Sequence, residues 1–269
     1  MVLMGKTPEM NSPSIGLLFD GYLLQLLSRP FRGKSDLFVE FDRKRSIKDL
    51  IESLGVPHTE IDRIIVNDIN EVDFSYIVMA GDSIKVYPVS RQTDFLSPSC
   101  IRPALPQGFK FICDVNVGKV ARWLRVFGFD TLYENNFEDD ELAELASQTK
   151  RILLSKDCNL LKRKKVIWGH LIRVNDPTDQ IVDVMQLFQL ERLVQPYTRC
   201  PRCNGKLLRV GKEKVDHLLE PLTRKYYTIF HQCDTCCQVY WQGSHRSKME
   251  ENLHAVLEMC QGTKSVISQ

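Results

Sequence analysis

Two Cys-x-x-Cys knuckles constrain this chain more than any other feature. Cys200-Pro-Arg-Cys203 and Cys233-Asp-Thr-Cys236 are separated by 29 residues. Each knuckle offers two thiolates to one ion, and two knuckles complete a tetrahedral four-sulfur site with no open position. One structural Zn²⁺ is therefore expected, held by Cys200, Cys203, Cys233 and Cys236 in a ribbon. Its strands are read from LLRVG (207–211) and KYYTIFHQ (225–232). Cys237 adjoins Cys236 and is an alternative ligand. Redox dithiols are the competing reading, but they do not require two copies. His231 and His245 flank the second knuckle, yet four sulfurs suffice. Cys100, Cys113, Cys158 and Cys260 read as ordinary thiols.

The cysteine count is nine, an odd number, and metal ligation with reduced thiols suits a reducing compartment. The opening MVLMGKTPEM has no basic stretch feeding an apolar run. A cytoplasmic address is expected. No segment approaches the roughly 18 apolar residues of a membrane span, so no membrane partner is expected. A hydrophobic content of 43% with 26% charged residues excludes wholesale disorder. The net charge of +2 is unevenly spread. Residues 1–95 sum to −3, whereas residues 196–250 hold ten Lys/Arg against five Asp/Glu, or +5. Basic charge thus gathers where the knuckles lie, which points to a polyanion partner.

The pattern divides the chain into five stretches. Residues 14–90 read as a small α+β unit. SIGLLFDGYLLQLL (14–27) reads as its strand-like opening with a turn at Asp20-Gly21, and LFVEF (37–41) alternates like a half-buried strand. Ser46 caps a helix carrying Ile47, Leu50, Ile51 and Leu54, which Gly55 stops. RIIVN (63–67) and SIKVYPV (83–89) are further strands. Residues 91–108 form a proline-containing linker or packing arm. Residues 109–195 alternate strand and helix: FKFIC, VGKVARWLRVFG, FDTLYE, DDELAELASQ, RILLS (151–155), VIWGHLIRV (166–174) and PTDQIVDVMQLFQL. Such alternation indicates crossovers and a mainly parallel α/β sheet. The ribbon occupies 196–250, and 251–269 form a C-terminal tail.

Acidic residues recur at the same point of that alternation. Asp114 follows the strand FKFIC, Asp157 lies two residues past RILLS, and Asp176 two past LIRV. Asp139 and Asp140 open the helix after the second strand. Parallel strands finish at one edge, where ligands bind. Carboxylates brought together there repel unless a cation neutralises them. Oxygen ligands suit Mg²⁺ or Mn²⁺, one or two ions, which activate water against a phosphodiester. Asp176 before Pro177 is equally a good helix N-cap, as Asp139 is. Lys119 and Arg122 stand one turn apart after Asp114, and Lys156 abuts Asp157. These are candidates for holding phosphate. The run Lys162–Lys165 reads as a solvated loop with a weaker claim on RNA. Trp123 is a stacking candidate but more commonly a core residue.

FICDVNVGKVARWLRVFGFDT, EDDELAELA, RILLSKD, TRCPRCNGKL and CDTCCQVYWQGSH occur in this order. Together they closely resemble the Mut-seven C-terminal RNase-like domain family, across about residues 109–250. The resemblance implies a PIN-type nuclease with a C-terminal zinc ribbon and metal-dependent RNA hydrolysis. It places Asp114, Asp140 or its neighbour Asp139, and Asp157 on the family's acids. Lys119 and Arg122 fall on its basic helix. The fourth acid has no firm counterpart, Asp176 or Asp179 being the candidates. The resemblance also implies an N-terminal ubiquitin-like unit, and residues 14–90 are similar to the β-grasp of small sulfur carriers. Those carriers need a free Gly-Gly end, whereas this chain continues through Ser90 and Arg91, so carrier chemistry is rejected. The expected partners are RNA and, through the β-grasp unit, a protein. The alternative function is a non-catalytic RNA-binding or adaptor protein. A nuclease toxin is a third reading.

Overall fold

The computed structural model describes residues 13–106 and 108–262, with the backbone alone at 244–248. Residues 263–269 of the expected tail lie outside the described residues. The first stretch contains β1 (Ser14–Phe19), α1 (Leu23–Leu26), β2 (Asp36–Glu40), α2 (Ile47–Ser53), β3 (Ile61–Val66), β4 (Asn70–Glu71) and β5 (Ser83–Pro88). Next come β6 (Phe111–Cys113), α3 (Gly118–Val126), β7 (Thr131–Leu132), α4 (Asp139–Thr149), β8 (Ile152–Ser155), α5 (Cys158–Leu161), β9 (Gly169–Leu171) and α6 (Pro177–Leu187). The last stretch holds β10 (Leu207–Val210), α7 (Lys212–Val215), α8 (Pro221–Tyr226), β11 (Phe230–Cys233), β12 (Val239–Trp241) and α9 (Ser244–Gly262). Among the described residues, no helix is long and apolar enough to cross a membrane.

Two compact units result. Of the described residues, one comprises 13–106 and 108 with 138–171, the other 109–137 with 172–262. In the first, five strands form one sheet in the order β2-β1-β5-β3-β4. β1 and β5 are parallel and the other pairs antiparallel, which is the mixed sheet of a β-grasp. Alternation in β1 buries Ile15, Leu17 and Phe19. They meet Ile47, Leu50 and Ile51 of α2 in one apolar cluster. The Ser46 hydroxyl caps α2 by accepting the Asp49 amide at 3.1 Å. Gly55 ends this segment at φ +117°, where a Cβ would press to 2.7 Å from the Leu26 carbonyl oxygen. Only glycine fits there.

The same unit contains the parallel pair β8–β9, with Leu153 opposite Gly169. It is tied to the β-grasp by buried polar groups. Glu60 is fully buried; its carboxylate accepts the Tyr22 hydroxyl at 2.9 Å and the Leu171 amide at 2.8 Å, and lies 3.3 Å from His170 Nδ1. His58 bridges Glu52 Oε1 and the Val166 carbonyl, both at 2.7 Å. Residues 91–106 pack as an arm. Arg102 donates to the Ile61 carbonyl and to Asp62 and lies 4.8 Å from the Phe95 ring, while Trp168 Nε1 donates to the Pro103 carbonyl.

The second unit holds the parallel pair β6–β7, helices α3 and α6, the antiparallel sheet β10-β11-β12 and α9. Phe230, Val239, Val215 and Leu219 form the small core of the ribbon. Two sequence expectations change here. Lys225 and Tyr226 end helix α8 instead of beginning a strand, because Pro221 starts a helix that runs to Tyr226. Helix α9 also runs across the boundary expected at 250. It buries Leu253, Val256 and Cys260, and Gln186 of α6 donates to the Met259 and Cys260 carbonyls. In the first unit, the residues following the Asp20-Gly21 turn form the single helical turn α1.

Candidate functional site

The knuckles converge. The sulfurs of Cys200, Cys203, Cys233 and Cys236 all lie within 4.8 Å of one another, and they are the one such group of metal-ligating side chains among the described residues. Cys200 and Cys236 are 3.7 Å apart, Cys203 and Cys233 3.3 Å. Zinc–sulfur bonds of about 2.3 Å in a tetrahedron set sulfurs about 3.8 Å apart. The four cysteines are therefore positioned to hold a metal ion, and one zinc fits. Cys237 stands outside the group: its backbone is left-handed (φ 57°) and its side chain is exposed. Backbone amides of Thr235 and Cys236 point at the Cys233 sulfur, at 3.4 and 3.5 Å. Burial pushes the Cys200 thiol up, but bonding to the Tyr240 hydroxyl (3.0 Å) and to backbone N–H groups outweighs it, leaving the thiol at about 7.

The first knuckle is braced from within its unit. Arg125 of α3 is buried, and its guanidinium donates to the Thr131 carbonyl and the Arg202 carbonyl, both at 2.9 Å. Asn204, left-handed at φ 70°, accepts the Thr131 amide at 3.0 Å and donates to Asp130 at 2.7 Å. A second arginine, Arg199, pairs with Asp130 at 3.3 Å.

The candidate acids fall in both units. Asp114 and Asp176 belong to the second, Asp139, Asp140 and Asp157 to the first. Asp114 follows β6 directly and is only 4% exposed. It begins a short 3-10 turn and receives the Asn116 amide at 3.3 Å. Asp157 begins α5. Its own amide donates to the buried Ser155 hydroxyl at 2.8 Å, and its Oδ1 accepts the Asn159 amide at 2.7 Å. The hydroxyl of the Ser155-Lys156-Asp157 element thus fixes the backbone that presents the acid. Asp176 caps α6, accepting the Thr178 and Asp179 amides at 2.7 and 3.2 Å. Those bonds, with some help from Lys119, hold its carboxyl below the ordinary range. The capping role weighed for Asp176 in the sequence is realised.

Asp139 and Asp140 open α4, where Glu138 and not Asp139 is the N-cap. Both pair with Arg163, yet their side chains stay 46% and 92% exposed. That contact revises the reading of the basic run as a solvated loop. Arg163 binds the two acids, Lys165 binds Glu144, and Lys162 donates to the Glu52 carbonyl at 2.9 Å. Lys119 and Arg122 are exposed on α3 and Lys156 is half-buried. Trp123 stacks on Phe127, with ring centroids 5.7 Å apart, as a partly buried helix residue does.

A family model described as the Mut7-C RNAse domain matches residues 109–253, more than half of the chain. The chain belongs to the Mut7-C RNAse domain family. A second model, the Mut7-C ubiquitin domain, matches residues 13–94. The protein is thus a ubiquitin-like domain fused ahead of a Mut7-C RNAse domain. No curated protein and no solved structure gives a match.

Two residues that matter to the Mut7-C domain are silent in the sequence reading. Arg125 lies among Ala121, Leu124 and Val126 on the buried side of α3. A charged residue on an apolar stripe is a signal that a partner exists. Tyr240, beside the second knuckle, gave none, because its sulfur contact depends on the pairing of β11 with β12.

Proposed function

We propose that the protein is a metal-dependent ribonuclease stapled by one structural zinc. The match of the Mut7-C RNAse domain model over 109–253 carries this reading. The donor chemistry supports it: Asp114 and Asp157 offer hard oxygen ligands of the kind Mg²⁺ or Mn²⁺ takes. Asp114 is a candidate ligand, as are Asp157 and Asp139 or Asp140. When bound, such an ion neutralises phosphate charge and lowers the pKa of water. The protein's own part is to fix the acids. The Ser155 hydroxyl holds the Asp157 backbone, and the Asn116 amide orients the Asp114 carboxylate. Lys119 and Arg122 are exposed cations suited to flanking phosphates. Asp176 is assigned to capping α6.

The test is an assay on single-stranded and structured RNA with Mn²⁺, comparing the protein with Asp114→Asn and Asp157→Asn variants. Electrostatic and metal contacts of this type are worth at least about 100-fold in rate. Cleavage that survives both EDTA and the paired substitution refutes the mechanism.

A further inference from the structure

The ribbon carries a cavity of about 640 Å³ that the proposed chemistry does not use. This lies within the range of roughly 300–1,000 Å³ typical of small-ligand sites. Its walls are aromatic: Tyr197, Tyr226, Tyr227, Tyr240 and Trp241 line it, and Arg122 of α3 supplies a cation. Tyr226 is 66% exposed although it is a large ring on a short helix, and the Lys225 ammonium lies 5.3 Å from its ring centroid. Tyr227 and Trp241 are anchored instead, packed against the ribbon core. Gly243 keeps the Trp241 side open, since a Cβ there would come within 3.0 Å of the indole nitrogen.

Rigid rings beside scattered cations have a specific chemical match. Unpaired nucleobases stack on aromatic faces, while Lys and Arg take the phosphates on either side. Duplex RNA hides those faces within its own stack. An apolar peptide would use the rings, but would leave Arg122 and Lys225 without a counter-charge. The ribbon segment's +5 charge favours the polyanion.

We infer that this cavity is a base-stacking subsite for single-stranded RNA, with Tyr226 and Trp241 as the platform and Arg122 as a phosphate contact. It deepens the ribonuclease reading and rests on it for the choice of RNA. The subsite makes the protein a reader of unpaired strand, and it lies on the zinc ribbon. Because Tyr240 both lines the cavity and bonds the Cys200 sulfur, metal loss should abolish the subsite with the fold that builds it.

The test measures binding, not cleavage. Full-length protein carrying Asp157→Asn is titrated against a fluorescent 12-nucleotide oligo(A) and against an RNA duplex of the same length, by anisotropy. Tyr226→Ala removes an exposed ring, so the core is spared. It should weaken single-strand binding by about tenfold, within the span known for one stacked base, and leave duplex binding unchanged. Tyr226→Phe should bind as the parent does. Unchanged single-strand affinity in Tyr226→Ala overturns the inference and leaves the cavity to an apolar peptide. Equal loss on both RNAs also overturns it, because a charge surface alone would behave so. A stacking defect in a protein that cleaves nothing would sink the nuclease reading and leave the subsite standing. Normal cleavage with no stacking defect would do the reverse.

Discussion

Removing the Glu60 carboxylate should loosen the first unit without touching the ribbon that carries the four cysteines. Glu60 is completely buried and serves two sequence-distant donors, Tyr22 and Leu171, with His170 beside it. Glu60→Ala leaves the Leu171 amide, deep in the unit, with no acceptor. An orphaned buried donor costs about 1–3 kcal/mol. The half-buried Tyr22 hydroxyl adds roughly 1 kcal/mol, and the vacated carboxyl volume adds a small cavity term. The sum is about 2–5 kcal/mol, a large share of a typical stability of roughly 5–15 kcal/mol. Glu60→Gln keeps an acceptor for Leu171 and should cost less than half as much. Urea unfolding reads the total, and amide hydrogen exchange at Leu171 reads the local opening. Zinc content should be unchanged in both variants. A Glu60→Ala shift below about 1 kcal/mol, with Leu171 exchanging as slowly as in the parent, would refute the reasoning.

Other outcomes follow from the second unit. Cys200→Ser with Cys233→Ser should reduce bound zinc from about one ion per chain to none by elemental analysis, and unfold the ribbon by circular dichroism, because thiolate ligation contributes folding energy directly. Arg125→Ala removes the donor to the Thr131 and Arg202 carbonyls; it should destabilise the unit by about 2–4 kcal/mol and speed zinc release to a chelator. Arg125→Lys should recover only part of this, since an ammonium lacks the planar fork. Asp176 has a depressed carboxyl pKa, so its capping contribution is present above the ordinary carboxylate range and lost as pH falls through the folded value. Carboxyl NMR titration should show that low value, and Asp176→Asn should flatten the acid limb of the α6 unfolding profile.

Signals that act within one turn or one strand were readable from the residues. Ser46 caps α2 and Asp176-Pro177 opens α6 as their side chains dictate. RILLS contains the wholly buried β8. The knuckle spacing implied four converging sulfurs, and the Cys236 sulfur is the one that converges with the other three. Signals that depend on partners far along the chain were not readable. Lys162, Arg163 and Lys165 look like a solvated run, but their partners are Glu52, Asp139, Asp140 and Glu144. Tyr226 has strand propensity, yet Pro221 starts a helix through it. Glu60 in HTEID gives no hint that it is buried, because its donors lie 38 and 111 residues away.

Those long-range contacts bear on what the ubiquitin-like domain does. The segment that presents Asp157 is α5 with its flanks, and it is held to the β-grasp at several points. Cys158 bonds the Gly55 carbonyl at 3.2 Å, Lys162 bonds the Glu52 carbonyl, and His58 bonds the Val166 carbonyl. At the same place Gly169 of β9 passes so close that an added Cβ would lie 3.2 Å from Thr59. Groups this buried pay for desolvation only when both partners are present. A freely swinging adaptor would leave Glu60, His58 and the Leu171 amide exposed or unsatisfied whenever it swung away. The ubiquitin-like domain is therefore part of the scaffold that sets the backbone around Asp157, and any partner it recruits must bind the face it leaves open. Phe38 and Ile69, at 69% and 86% exposure, are large apolar side chains that solvent already reaches.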